Sequence, residues 1–311
     1  MTLTETTTSS SSYGPENAYL GDLYKEWNSR LKTPMDLATM RDVFEEWHLP
    51  TIEPTDVTYE ETNIDGTKAI WAKPLNAVPD RVLIFFHGGG GVVGSMYTHR
   101  KLAGHIAKAA RAYALVLNYR LAPENPFPAA VEDGVKAYHW VLAQGFTPDH
   151  IATIGDSGGG AFAISTVVKL RELGETLPAA IVSMSPYTDM QLSGDAMEEN
   201  AETECLVDRP LMEGMVESLL VGQTAVDDPL ANLLYADLSE LPPVFITAAE
   251  LEMLRDDGVR LVERINSAGG DATLEIGKGR QHVYQFLAGR TAEGDADVKT
   301  LGDWLQPRLG L

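Results

Sequence analysis

A short glycine-rich motif at residues 155–159 constrains the fold more than any other feature of this sequence. It reads Gly-Asp-Ser-Gly-Gly, follows a strand-like stretch at 150–156 and precedes an apolar helical pattern over 160–173. The Gly-x-Ser-x-Gly form at a strand-to-helix turn is typical of a nucleophile elbow, in which the serine hydroxyl stands clear of a sheet. So tight a turn has no room for a β-carbon at either outer glycine, and Ser157 must accept a strained backbone. An ordinary glycine-serine loop is the competing interpretation, because the pattern alone is loose.

The motif predicts a partner histidine, since a serine hydroxyl is a weak nucleophile without a neighbouring base. In α/β-hydrolases the serine is followed along the chain first by an acidic residue and then by the histidine. Six of the seven histidines precede Ser157, and His282 is the only one that follows it. A lone histidine is more often a packing or surface residue, but the chain order predicts His282 as the base.

The acid that orients this base should lie between Ser157 and His282, after the strand-like stretch 243–247. Four carboxylates follow that stretch closely: Glu250, Glu252, Asp256 and Asp257. The two aspartates could equally complement the dipole at the start of the next helix, which is predicted over 259–267. The residues by themselves do not choose among the four.

A second glycine run, at residues 88–91, follows an apolar stretch that ends at Phe86. It lacks the Gly-Lys-Ser/Thr ending of a phosphate-binding loop. The G-x-G-x-x-G pattern of a dinucleotide site is present at 89–94, but no acidic ribose partner follows the next apolar stretch. Backbone N–H groups of such a loop can instead approach a developing oxyanion, joined by the N–H of Gly158. We therefore expect an oxyanion hole.

Taken together, these motifs resemble the hormone-sensitive-lipase group (family IV) of bacterial α/β-hydrolase esterases. The matching stretches span residues 82 to 286 and are His87 to Gly90, Tyr119 to Glu124, Pro126 to Ala130, Gly155 to Gly159, Leu254 to Asp256, and His282 with Val283. The resemblance implies an α/β-hydrolase fold, with a mostly parallel central sheet flanked by helices and a helical cap.

The resemblance also selects an acid. In that group the acid lies four residues before the aspartate of the Leu-Arg-Asp segment, which here is Glu252, with Asp256 as the alternative. The group usually has an aspartate at this place. A glutamate can accept the same hydrogen bond from an imidazole, but its extra methylene demands a shifted backbone.

The remaining site residues are implied in the same way. Gly89 and Gly90 are expected to donate to the oxyanion beside Gly158, with His87 bracing their loop instead of acting as a base. The expected supporting residues are His87, Gly88 and Asp156.

The predicted domain organisation has three parts. Residues 1–12 are a Thr/Ser-rich run with neither the basic start nor the apolar core of a secretion signal, which predicts a disordered tail. Two helix patterns follow within 13–50, the second opening at Thr33-Pro34. Apolar strands and amphipathic helices alternate from 82 to 306, which predicts one large α/β domain. The resemblance implies that 13–50 forms a cap with an insertion at about 188–225, on a catalytic domain of 51–311.

The net charge of −21, from 45 acidic and 24 basic residues, limits the partners. It argues against nucleic acid and anionic membranes, since both require a positive surface. The sequence has no run of 18 apolar residues that would predict a membrane span. The single cysteine, Cys205, excludes an internal disulfide and fits a reducing cytoplasm. A homo-oligomer is left open.

The expected function is a serine carboxylesterase that hydrolyses short-to-medium acyl esters through an acyl-enzyme intermediate. Its substrates would be small and neutral, its triad Ser157, Glu252 and His282, and it would need no metal or cofactor. A lactone hydrolase with the same triad is one alternative. A non-catalytic ligand-binding receptor on the same fold is another, although such receptors usually lack the histidine that His282 supplies.

Overall fold

The structure, a computed structural model, describes residues 15–31, 36–221 and 225–311. The predicted tail at 1–12 and the predicted helix start at Thr33-Pro34 lie outside these residues. The helices are α1 (Pro15–Arg30), α2 (Leu37–Phe44), α3 (Met96–Ala110), α4 (Ala129–Ala143), α5 (Ser157–Glu172), α6 (Ala196–Glu199), α7 (Arg209–Leu219), α8 (Arg255–Ser267) and α9 (Ala292–Arg308). The strands are β1 (Val57–Ile64), β2 (Thr67–Pro74), β3 (Val82–Phe86), β4 (Tyr113–Asn118), β5 (Ile151–Asp156), β6 (Ala180–Met184), β7 (Val244–Ala249) and β8 (Ala272–Gly277).

In the described part of the chain, eight strands form one sheet in the order β1-β2-β4-β3-β5-β6-β7-β8. Strands β3 to β8 pair in parallel, whereas β2 pairs antiparallel with both β1 and β4. Helices flank this sheet: α3 packs on α9, and α5 packs on α4. The predicted α/β-hydrolase architecture with a mostly parallel sheet is therefore confirmed.

The central strands β3 and β5 are buried along their whole length. β3 is the continuous apolar run Val-Leu-Ile-Phe-Phe, as expected for a parallel strand that is covered on both faces. Phe86 at its end pairs with Gly155 near the end of β5. Because the carboxyl ends of parallel strands meet at one edge of a sheet, the loops after β3, β5, β7 and β8 lie there together.

The antiparallel hairpin of β1 and β2 differs from the sequence expectation, which began the strands at residue 82. β1 is mostly exposed and largely polar, so it lacks the apolar run that marks a buried strand. Asp65 and Gly66 connect the two strands with φ values of 47° and 99°, and the positive sign at both positions suits a type I′ turn. This Asp-Gly pair was the available sequence signal for the hairpin.

The N-terminal helices pack on the body through aromatic side chains. α1 buries Leu20, Tyr24 and Trp27. α2 begins at Leu37, because the Asp36 side chain accepts a hydrogen bond from the Thr39 N–H at 2.9 Å and caps the helix. Both helices are thereby held next to the edge of the sheet where the loops meet.

Alanine substitutions at two glycines inside helices test the described helix packing, because they should change the free energy of unfolding in opposite directions. A β-carbon on Gly302 of α9 would lie 2.6 Å from the backbone of Ala109 in α3. Gly302→Ala should therefore push the helices apart and lower the free energy of unfolding by about 1–3 kcal/mol. On Gly214 of α7, a β-carbon would meet no described atom within 4 Å, so Gly214→Ala should raise the free energy of unfolding by up to about 1 kcal/mol. Urea unfolding followed by circular dichroism measures both, and equal losses would contradict the described packing.

Candidate active site

Ser157 lies at the first position of α5, directly after β5, and its backbone has a φ of +52°. Positive φ is unfavourable for a residue with a side chain and occurs where the surroundings impose it. Here the surroundings are backbone: a β-carbon on Gly155 would lie 2.3 Å from the Gly159 carbonyl oxygen, and one on Gly159 would lie 2.2 Å from the Phe86 carbonyl oxygen. The two glycines let strand, turn and helix approach this closely.

His282 follows β8 and is held by contacts from three other parts of the chain. The Tyr24 hydroxyl in α1 donates to its carbonyl oxygen at 2.9 Å. The N–H of the next residue, Val283, donates to the Ser185 hydroxyl after β6 at 3.1 Å. The ring Nδ1 lies 2.6 Å from the Glu252 carboxylate, and both side chains are buried.

The structure separates the four candidate acids. Only Glu252 contacts His282, and its second oxygen accepts from the Ala249 N–H at 2.7 Å. Each of the other three binds backbone N–H groups elsewhere. Glu250 accepts from Gly279, Asp256 accepts from Ala196, and Asp257 accepts from Thr188 and Asp189.

The contact with Glu252 also sets the protonation of the His282 ring. Nδ1 carries the proton that faces the carboxylate, so the lone pair of the neutral ring lies on Nε2. Burial alone would lower the pKa of His282, but the hydrogen bond to Glu252 and nearby negative charges outweigh it, so the pKa lies above its ordinary value. These charges belong to Glu252, Glu204 and Asp156.

A cavity with at most about 290 Å³ of empty space joins the reactive groups. Ser157 and His282 both line it, together with Gly89 and Gly90. The rest of its wall is mostly apolar and comprises Phe44, Trp47, Tyr187, Leu206, Val207, Met212, Met215 and Leu254. The chain therefore brings a hydroxyl, an imidazole and a glycine loop to one small, apolar cavity.

Gly89 and Gly90 line this cavity with backbone atoms. Gly89 and Gly90 have φ values of +111° and +60°, and a β-carbon on Gly158 would lie 2.8 Å from the Gly90 Cα. Among the described residues, no acceptor forms a backbone hydrogen bond with the N–H groups of Gly89 and Gly90. Unpaired N–H groups beside a serine hydroxyl can stabilise negative charge on a carbonyl oxygen.

His87, Gly88 and Asp156 lie behind the loop and do not line the cavity. The Asp156 carboxylate accepts from the Gly88 N–H at 3.1 Å. The His87 ring stacks on Tyr119 with 4.1 Å between ring centroids, and its Nδ1 lies 2.7 Å from the Gly88 carbonyl oxygen. Burial and the neighbouring His99 lower the pKa of His87 to about 3, so this ring stays neutral near pH 7.

Sequence reasoning missed His99, which supports the same loop from α3. Its Nε2 lies 3.2 Å from Asp156 Oδ2, and its ring packs edge-on against Trp47 and Phe286. Because His99 precedes Ser157, the chain-order argument passed over it. Its only local signal is its place on the buried face of a capped helix.

Comparison with known proteins places this geometry in a family. A family model described as alpha/beta hydrolase fold matches residues 83–286. The crystal structure of an esterase from the bacterial hormone-sensitive lipase family superposes with a TM-score of 0.92 and 37% identity, covering 96% of this chain and 100% of that one. The chain belongs to the hormone-sensitive-lipase-like α/β-hydrolases. The predicted membership of this group is therefore confirmed.

The names of two relatives of this hormone-sensitive-lipase-like protein support the same family membership. An acetyl-hydrolase of Streptomyces hygroscopicus is 32% identical over 293 residues, which cover 88% of this chain and 97% of the relative. Carboxylesterase NlhH of Mycobacterium tuberculosis is 33% identical over 269 residues, covering 83% of this chain and 80% of the relative. In the described residues, no helix has the length and apolarity needed to cross a membrane.

Proposed function

We propose that this carboxylic ester hydrolase cleaves short-to-medium acyl esters through an acyl-enzyme intermediate on Ser157. The observation that carries the proposal is the 2.6 Å contact between His282 Nδ1 and Glu252, because it leaves Nε2 as the basic nitrogen of a ring that shares a cavity with Ser157. This arrangement supports a Ser-His-Glu triad, in which the acid fixes the tautomer of the base.

The reaction then proceeds in two halves. His282 Nε2 takes the proton of Ser157 as the hydroxyl oxygen attacks the ester carbonyl, and the N–H groups of Gly89, Gly90 and Gly158 stabilise the oxyanion. Glu252 stabilises the imidazolium. His282 returns the proton to the leaving alcohol, and a water molecule, activated by the same ring, hydrolyses the acyl-enzyme.

The cavity supports small, neutral acyl groups. Its empty space is at most about 290 Å³, part of it open to solvent, and this small volume favours short acyl chains over long ones. Among the described residues, no Lys, Arg, Asp or Glu side chain lines it, so an anionic or cationic acyl group would be desolvated without a partner. No feature of this wall favours a lactone ring over an open-chain ester, so we propose open-chain esters.

We further propose that two segments form the cap that sets acyl preference. One comprises the N-terminal helices within 13–50, which supply Phe44, and the other is the insertion at about 188–225, which supplies Met212 and Met215. The body at 51–311 carries the triad. A cytoplasmic location and the absence of a nucleic-acid partner stay predictions from composition and charge, and a homo-oligomer stays open.

Hydrolysis of p-nitrophenyl esters tests the proposed function. The protein should release p-nitrophenol from the butyrate ester and act much more slowly on the palmitate ester, whose chain exceeds the cavity. Ser157→Ala should lower kcat by roughly 10⁴-fold or more, since the nucleophile is lost. Release by Ser157→Ala at the wild-type rate would contradict the proposal, and wild-type protein that binds butyrate esters without cleaving them would favour the receptor.

The acid is tested by two matched amide substitutions. Glu252→Gln should lower kcat roughly 100- to 10,000-fold, because the amide can hold the ring in the wrong tautomer and carries no charge. Asp256→Asn, which changes a carboxylate bound to the Ala196 N–H, should keep kcat within a few-fold of the wild type. Steady-state kinetics with p-nitrophenyl butyrate measures both, and retained turnover in the first with lost turnover in the second would reverse the assignment.

A further inference from the structure

Side chains of the insertion bind the backbone of the loop that carries the proposed acid. We call residues 250–253 the acid loop and residues 200–206 the bridging segment. Asn200 Nδ2 donates to the carbonyl oxygens of Glu250 at 3.0 Å and Glu252 at 2.8 Å. The Thr203 hydroxyl lies 3.1 Å from the Leu251 carbonyl oxygen. Consecutive peptide groups of the acid loop are therefore held by the bridging segment.

The bridging segment also holds the chain beside the proposed base. The side-chain amide of Gln281 donates to the Thr203 carbonyl oxygen at 2.9 Å and accepts from the Cys205 N–H at 3.2 Å. Gln281 immediately precedes His282. One segment thus sets the positions of both partners of the His282–Glu252 hydrogen bond.

The Glu204 carboxylate accepts hydrogen bonds from both the bridging segment and the acid loop. One of its carboxylate oxygens accepts from the Leu206 N–H at 2.8 Å, and the other accepts from the Met253 N–H of the acid loop at 3.2 Å. The side chain is partly buried, and burial raises the pKa of Glu204, whereas the charge of His282 and the two N–H groups oppose that rise.

The negative charge of the Glu204 carboxylate interacts with the His282 ring. The imidazole of His282 lies close enough to Glu204 to interact with it electrostatically. A partly buried carboxylate is stabilised by a nearby positive charge. The protonated form of His282, which arises in the proposed reaction when Ser157 loses its proton, supplies that positive charge.

We propose that Glu204 is a positioning residue that holds the acid loop in register with His282 and adds a second negative charge to stabilise the imidazolium. The inference rests on the proposed function, since it gives His282 and Glu252 their roles. Glu204 does not line the cavity, so it acts through these two residues without touching the substrate. It also links the acid loop to the insertion that walls the acyl cavity.

Other groups face the same ring and limit the expected effect. His282 is influenced by Glu252, through its hydrogen bond and charge, and by Asp156. The Tyr24 hydroxyl binds its carbonyl oxygen, and the Cys205 thiol lies beside Glu204. Removing Glu204 leaves these groups in place, so the pKa of His282 should fall without losing all of its rise.

An NMR titration of the His282 ring tests the charge directly, without a need for turnover. The pKa of His282 is compared in Ser157→Ala protein with and without Glu204→Gln, and the resonance is assigned from a His282→Gln spectrum. Loss of the carboxylate should lower the pKa of His282 by roughly 0.5–1 unit, since the charged ring loses an attractive neighbour. The matched control, Glu202→Gln, removes an exposed carboxylate from the same segment and should leave the titration unchanged. An equal pKa of His282 in Ser157→Ala protein with and without Glu204→Gln would overturn the inference.

Kinetics of the same substitutions test the positioning. Glu204→Gln should lower kcat for p-nitrophenyl butyrate about 10-fold, as expected for a lost charge-assisted hydrogen bond, with KM nearly unchanged. The acid limb of kcat/KM should move to lower pH, because a base of lower pKa stays neutral to lower pH. Glu204→Asp keeps the charge, so it should retain the wild-type acid limb while kcat falls, and it serves as the test if Glu204→Gln does not fold.

The outcomes separate this inference from the proposed function. Wild-type kcat and an unmoved acid limb in Glu204→Gln would overturn the role of Glu204 and leave the triad intact. A wild-type protein without esterase activity would overturn the proposed function, and the inference with it.

Discussion

The buried hydrogen bond between His282 and Glu252 is the interaction on which the proposed chemistry depends. Both side chains are withdrawn from water, so no solvent competes for the ring nitrogen or the carboxylate. One oxygen of the acid is fixed by the Ala249 N–H at the end of β7, and the other is left for the imidazole. With Nδ1 committed in this way, Nε2 is the nitrogen that remains to serve Ser157.

The sheet supplies the rest of the arrangement by aligning its strand ends. The Ser157 turn, the glycine loop at 88–91, Glu252 and His282 follow four parallel strands, so short connections bring them to one edge. Close backbone contact at Gly155 and Gly159 places Ser157 beside the glycine loop, which Asp156 holds through the Gly88 N–H. The segment after β6 supplies part of the cavity wall and, through Asn200 and Glu204, binds the loop that carries Glu252.

The sequence predicted those parts of the fold whose signals are local. The apolar run of β3 marked a buried strand at 82–86, and the structure has the strand at these residues. The hairpin of β1 and β2 was missed because its outer strand is polar and mostly exposed, which leaves only the Asp65-Gly66 turn as a signal. The start of α2 depends on the Asp36 cap, which the predicted start at Thr33-Pro34 passed over.

The candidate site residues also differ in how far the sequence alone predicts them. Chain order sufficed to propose His282, because no other histidine follows Ser157. Four carboxylates lie within one short stretch, so choosing Glu252 needed the family resemblance, and the contact with the ring became visible only in three dimensions. His99 and Glu204 act through contacts between segments far apart in the chain, and no local pattern reveals such contacts.

In the proposed reaction, the Ser157 hydroxyl is the group that attacks the substrate. Stoichiometric treatment with diethyl p-nitrophenyl phosphate, followed by peptide mapping by mass spectrometry, tests it most directly, because this reagent leaves a stable phosphoryl group on an activated serine. We predict one diethylphosphoryl group per chain on the peptide that contains Ser157, with esterase activity lost in proportion to its occupancy. Inactivation with the group on a different residue, or full activity with Ser157 modified, would contradict the account.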